Sequence, residues 1–222
     1  MTDFEPETGL TSDWLHEFVV ESNRIDPQVG NNAPGDPLYD LHHAALQHCI
    51  ASALADRYAL PRELHSMLLP EHPLGGVVRA QESHIGFRKM LQPHRVPYYT
   101  WRWNADARES IGELRWRRSR SEERQNVLWD LHCELMNIRP FEMYNGRVGR
   151  LLLVNHAILL GEQPPLIRFS ERDDYIDMVR GHLSATWVDE PLYKPSAIRY
   201  HEWKMRAKSD GPNPVDPDED VF

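Results

Sequence analysis

From Arg147 to Leu160 the chain reads RVGRLLLVNHAILL, and beyond its two arginines this stretch is apolar on nearly every side, through Leu151, Leu152, Leu153, Val154, Ala157, Ile158 and Leu159. A helix without a polar stripe must be enclosed by other elements. The segment predicts a central buried helix over 147–160, ended by Gly161 and Pro164-Pro165. Asn155 and His156 fall inside the run, where polar side chains are expected to be hydrogen-bonded internally. Just before it, the segment 120–137 sets Val127, Leu128, Leu131, Leu135 and Ile138 on one face, with Ser119 and Glu122 at the spacing of a capping box. Two such helices in succession define a bundle whose other members must be amphipathic.

The rest of the chain supplies those members. Residues 11–25 predict a helix capped by Thr11 or Ser12, with Trp14, Phe18, Val19, Val20 and Ile25 as its apolar stripe and Pro27 as its stop. Residues 38–58 predict a long amphipathic helix through Leu41, Ala45, Ile50 and Leu54, and Pro61 opens a short one. Ser170 and Asp173 start another, with Tyr175 and Met178 on one side, and 191–208 reads as a last helix framed by Trp187 and Trp203. Gly75 to Arg88 is the most strand-like stretch. The arginine- and aromatic-rich segment Pro93–Arg120 is interrupted by Asp106, Glu109 and Glu113, so it reads as a solvated surface with aromatic anchors or a peptide-contact face. The expected fold class is all-α, a helical bundle with one small β-hairpin. It forms a single domain over 1–208, and the acid- and proline-rich tail 209–222 is expected to be disordered.

A chain of 222 residues can bury a substantial core. No apolar run approaches a membrane span, and Met1-Thr2-Asp3-Phe4-Glu5 is not a basic, signal-like start. Cys49 and Cys133 have neither metal-ligand nor disulfide-framework spacing, which fits a reducing, cytoplasmic compartment. His42, His43 and His48 lack partners at metal-site spacing. A formal charge of −9 disfavours broad nucleic-acid binding, so neither a nucleic acid nor a membrane is an expected partner.

The loop between the two central helices carries the chemistry. In Ile138–Arg150, IRPFEMYNGRVGR, Asn145-Gly146 reads as a tight turn, and Arg147 and Arg150 share one face of the helix that follows. In a first helical turn the free N–H groups and the positive end of the dipole favour an anion. Gly146 permits close backbone approach, and two guanidinium forks can hold phosphate oxygens bidentately. The spacing describes a phosphate cradle. A plain loop with two solvated arginines is the alternative.

Arg139-Pro140-Phe141-Glu142-Met143-Tyr144-Asn145-Gly146-Arg147-Val148-Gly149-Arg150 resembles the signature loop of the Fic/Doc (Fido) family, written HPF-x-[D/E]-G-N-G-R-x-x-R. Pro140, Phe141, Asn145, Gly146, Arg147 and Arg150 match. Arg139 stands where the family has its catalytic histidine, Met143 where it has the metal-holding acid, and Tyr144 where it has the first glycine. The likeness runs loosely over 12–180 and strongly over 127–165. It implies a Fic-like helical bundle, ATP or another nucleotide as ligand, and ligand contacts from Tyr144, Asn145, Gly146, Arg147, Gly149 and Arg150. Ser22-Asn23-Arg24-Ile25-Asp26 resembles the family's inhibitory [S/T]-x-x-x-E-[G/N] motif with its acid one methylene shorter, which implies a regulatory Ser22 and an Asp26 that approaches Arg150. Val77-Val78-Arg79 and His84-Ile85-Gly86 resemble the two arms of the family's flap, over about 76–88, where a protein target docks by strand addition. The helix with Tyr175 resembles the one that closes the adenine side of the family's pocket.

The departures bear on activity. Fic enzymes move AMP from ATP onto a protein hydroxyl, and the histidine takes the hydroxyl proton. Arginine stays protonated and accepts no hydrogen bond, so Arg139 cannot take that role. Loss of a positioned general base costs on the order of 10²–10⁴-fold. Met143 offers a soft thioether where magnesium needs hard oxygen, so no metal site is expected and any dependence on metal is doubtful. Glu142 is the loop's remaining acid and the one candidate for a replacement base, although in the family that position points away from substrate. Three readings stay open. One is a degenerate Fic-like protein that holds a nucleotide or other phosphorylated small molecule without AMP transfer. Another is a transferase of altered chemistry, moving a nucleotidyl, phosphoryl or phosphocholine-type group to a protein or small molecule. The last is a non-catalytic interaction domain.

Overall fold

The computed structural model describes residues 9–26, 32–85 and 88–182, which form seven α-helices and one very small antiparallel ladder. The helices are α1 (Ser12–Ile25), α2 (Pro37–Leu54), α3 (Pro61–Leu68), α4 (Val96–Trp116), α5 (Ser121–Ile138), α6 (Asn145–Leu159) and α7 (Arg172–His182). The two-residue strands are β1 (His84–Ile85) and β2 (Arg88–Lys89), and 3-10 turns at Pro93–Arg95 and Phe169–Glu171 lead into α4 and α7.

The apolar run takes the central position its composition demands. Val148, Leu151, Leu152, Leu153, Val154, Ala157 and Leu159 of α6 are buried, enclosed chiefly by α2 and α5. Val127, Leu128, Leu131, Leu135 and Ile138 form the buried face of α5. Asn155 ties the core to the α2–α3 connection: its amide donates to the carbonyls of Cys49 (2.9 Å) and Arg57 (3.2 Å), and its Oδ1 accepts from the Ala59 N–H (3.1 Å). His156 packs its ring between Trp103 and Tyr58. Trp103 is buried in turn and donates its indole N–H to the Leu131 carbonyl at 2.9 Å, locking α4 onto α5. The aromatic- and arginine-rich stretch is thus mainly one long amphipathic helix.

Several expected boundaries are corrected. α1 is capped by Thr11, whose hydroxyl accepts from the Trp14 N–H. α2 ends at Leu54, short of residue 58, because Asp56 turns left-handed (φ 57°) and the Arg57 N–H closes onto the Ser52 carbonyl. The capping box at Ser119 and Glu122 does not form: the Ser119 hydroxyl donates to the Leu114 carbonyl, closing α4 rather than opening α5. On α7 the ring of Tyr175 lies against His132 while Met178 is exposed, so these two do not share a buried side.

The flap also differs from expectation. The ladder pairs His84 with Lys89 and Ile85 with Arg88, and Val77-Val78-Arg79 takes no part in it. Arg79 instead points inward, donating from Nε to the Arg139 carbonyl (2.7 Å) and from Nη1 to that of Gln81 (2.8 Å), while its backbone N–H donates to the Pro140 carbonyl (2.8 Å). A guanidinium with five donors holds the signature loop from beneath. Val77 and His84 are exposed, and Val78 packs on the core. Pro27, Gly86, the expected helix 191–208 with its flanking tryptophans, and the tail 209–222 lie outside the described residues.

Replacing Asn155 by Ala would strand the buried Ala59 N–H, costing about 1–3 kcal/mol, and remove one donor each from the Cys49 and Arg57 carbonyls. Urea denaturation of Asn155→Ala should show a loss of about 2–4 kcal/mol. A loss below about 1 kcal/mol would mean that α6 is not anchored to the α2–α3 connection in this way.

Candidate anion-binding site

The turn between α5 and α6 is built by two residues in the left-handed region. Arg139 (φ 45°) ends α5 with its N–H on the Leu135 carbonyl (3.0 Å), and Tyr144 (φ 60°) precedes α6. Asn145 is the first residue of the helix rather than part of the turn. Its side chain clasps Phe141, accepting from the Phe141 N–H (2.9 Å) and donating to the Phe141 carbonyl (2.7 Å). Phe141 is fully buried and stacks on His65 with ring centroids 3.9 Å apart. Gly146 needs no positive φ; a Cβ there would lie 2.9 Å from Arg150 Nη1 and 3.4 Å from Asp26 Oδ2, so a side chain would press on the guanidinium that α1 holds in place. Gly149 faces away from any ligand, toward Met136 Cε and His132, where a Cβ would meet atoms at 2.5 and 3.0 Å.

The two signature arginines are separated in role. Arg147 is wholly buried: its Nε donates to Asn23 Oδ1 at 2.9 Å, and its guanidinium sits 4.3 Å from the Tyr144 ring centroid. Arg150 borders a cavity and is held by α1, with Nε on Ser22 Oγ (2.8 Å) and Nη2 on the Ser22 carbonyl (2.9 Å) and Asp26 Oδ2 (3.2 Å). Asp26 Oδ2 also lies 3.8 Å from Arg147 Nε.

The cavity, of about 270 Å³, lies between this loop, the end of α1 and α7. Arg139, Arg150, Arg172 and Arg180 border it against a single carboxylate, Asp26, while Ile25, Met136, Tyr175, Ile176 and Val179 supply an apolar wall. Arg139 is half-buried, and its Nε has no hydrogen-bond partner among the described residues. Burial lowers its pKa and the Asp26 carboxylate pulls it back up; a guanidinium stays cationic across this range. Glu142 is exposed and does not border the cavity.

Nearby histidines are structural and neutral. His42 Nδ1 sits 2.8 Å from Asn23 Oδ1, an oxygen that only accepts, so Nδ1 carries the proton. Burial first, then Arg150 and Arg147, push the His42 pKa far below its usual value. His132 is pushed down to about 3 by burial and Arg150. Its Nε2 lies 2.8 Å from the Tyr175 hydroxyl, which can donate to it because Arg150 only donates to that oxygen. Burial takes His65 to about 4 and His156 to about 4.

Asn23, Arg172 and Arg180 were not singled out by sequence. Asn23 sits inside the inhibitory-like motif at a variable position, and the two α7 arginines reach the loop only through the fold. No family model matches the chain, and no curated protein matches it. Among solved structures it is similar to a Fic-domain-containing signaling protein from Bacteroides thetaiotaomicron VPI-5482, at 17% identity over 76% of this chain and 71% of that one, with a TM-score of 0.61. The chain has a Fic-like fold.

Three buried histidines, His65, His132 and His156, set an acid limit, and His42 shifts in the same direction. The unfolded chain binds protons below about pH 6.5 that these three refuse in the folded chain until about pH 3–4, so stability is full above about pH 6.5 and falls as pH drops from there. Each such histidine contributes a slope of up to about 1.4 kcal/mol per pH unit. Denaturation of His156→Phe between pH 7 and 4 should show a slope shallower by about one proton. An unchanged slope would mean that His156 titrates in the folded chain.

Proposed function

We propose that this Fic-like chain binds the phosphate-bearing end of a nucleotide or other phosphorylated small molecule in the cavity bordered by α7, without histidine-dependent AMP transfer. The observation that carries the reading is the cationic lining: Arg139, Arg150, Arg172 and Arg180 border the cavity with one carboxylate, Asp26. Arg172 and Arg180 also pair with Asp173 and Asp177 on α7, whereas Arg139 is a half-buried guanidinium whose Nε is unbonded among the described residues. A buried cation short of partners is costly, and an anion with several acceptor oxygens relieves it. The Tyr175 ring and the aliphatic side chains opposite suit a nucleoside or another apolar group attached to that phosphate.

The site lacks a base for AMP transfer. Arg139 accepts no proton, and His42, His65 and His132 are internal groups with pKa values far below the operating range. Nor does the loop fit a resident magnesium ion, because Met143 gives a hard cation no oxygen. Ser22 and Asp26 have a regulatory part in this reading. The Asp26 carboxylate occupies Arg150 as a phosphate would, so ligand and α1 compete for one guanidinium. Arg79 supports the loop rather than an open strand edge, so this reading assigns no target-docking role to Val77-Val78-Arg79.

Calorimetric titration with AMP, ATP and inorganic phosphate in EDTA tests this. At least one nucleotide should bind without metal, Arg139→Gln should weaken it by about 10-fold or more, and Asp26→Asn should tighten it. No binding by any of the three, affinity indifferent to Arg139→Gln, or metal-dependent AMP transfer by the intact chain would each contradict the proposal.

A further inference from the structure

The end of α4 carries a surface unlike the rest of the chain. Arg115, Trp116, Arg117, Arg118, Ser119 and Arg120 place four guanidiniums within six residues, in a chain whose formal charge is −9. Trp116 is 85% exposed, the most exposed large hydrophobic side chain described. Arg115 pairs with Asp56, and Arg117 with Glu113 and Glu123, whereas Arg118 and Arg120 have no carboxylate partner among the described residues. Arg118 also adopts φ 49°, closing α4 at the position where glycine is favoured. An arginine held there against its backbone preference is exposed two residues from the exposed indole.

Such a ridge is complementary to an acidic segment with a few apolar side chains: the acids meet the guanidiniums, and the apolar groups cover the indole. This chain contains one outside the described residues. Residues 209–222, SDGPNPVDPDEDVF, carry Asp210, Asp216, Asp218, Glu219 and Asp220, no lysine or arginine, and Val215, Val221 and Phe222. We propose that residues 209–222 dock in cis on the ridge formed by Trp116, Arg118 and Arg120. Reach is not limiting. Even with 191–208 helical, the 26 residues from 183 to 208 can span up to about 53 Å, against a radius of gyration of about 16 Å for a domain of this size.

The proposal is tested on the full chain by placing a nitroxide at Val221→Cys. Cys49 and Cys133 are buried, and burial pushes the Cys133 thiol up to about 12, so the label goes to the new thiol. At about 20 mM salt, NMR signals of the Trp116 indole and the amides of 115–120 should broaden, and above about 0.5 M salt they should recover. Arg118→Gly with Arg120→Gln should abolish the broadening while leaving Tm unchanged or raised, because glycine relieves the left-handed backbone. That pairing separates lost docking from lost folding. No broadening at 115–120 in low salt, or broadening that survives the double substitution, would overturn the proposal. So would broadening that appears only when spin-labelled and isotope-labelled chains are mixed, which would assign the contact to a second copy.

Discussion

Arg150 stands in the first turns of α6, only 2% exposed, with Arg147 fully enclosed one turn before it. Two guanidiniums at a helix N-terminus oppose the dipole, and burial removes the water that would otherwise solvate them. Neither could be there without α1. Ser22, Asn23 and Asp26 supply hydroxyl, carbonyl, amide and carboxylate oxygens from a segment some 124–128 residues away in sequence. Much of the rest follows from that clasp. A side chain at Gly146 would press on Arg150 and Asp26, and His42 is held neutral first by its burial and then by the two cations that face it.

The same clasp gives the site its character. The dipole and the arginines set up a place for negative charge, and Asp26 fills part of it, leaving Arg139, Arg172 and Arg180 along the remaining wall. A carboxylate one methylene shorter than glutamate touches Arg150 through one oxygen, at 3.2 Å, and so holds it less fully than a bidentate pair. With Arg139 and Met143 in it, the loop offers a permanent cation and a thioether, which suit an anion rather than proton transfer or a hard metal ion.

How much of this could be read from the sequence depended on range. α6 and the buried face of α5 are written in periodicity, because an all-round apolar run has only one place to go. The contact of Asp26 with Arg150 came from resemblance of short motifs, since no spacing rule connects residues so far apart. Local signals failed where the same residue had two uses. Ser119 could cap α5 or close α4, and the tertiary turn selected the second. Asn145-Gly146 has the composition of a turn, yet the left-handed backbone falls on Tyr144 and Arg139, so Asn145 begins the helix and clasps Phe141. Val77-Val78-Arg79 alternates too briefly to fix a strand, and Arg79 found more partners inside. Arg172 and Arg180 belong to the site only because α7 returns over the loop.

The most direct measurement follows the arginine Nε–H resonances of the full chain by NMR as AMP is added in EDTA. The Arg139 and Arg150 signals should shift together and saturate, while that of Arg147, enclosed by Asn23 and the Tyr144 ring, should stay in place. Arginine signals that all remain unmoved in a folded chain, with AMP and with ATP alike, would contradict the claim that this cavity is built to hold a phosphate.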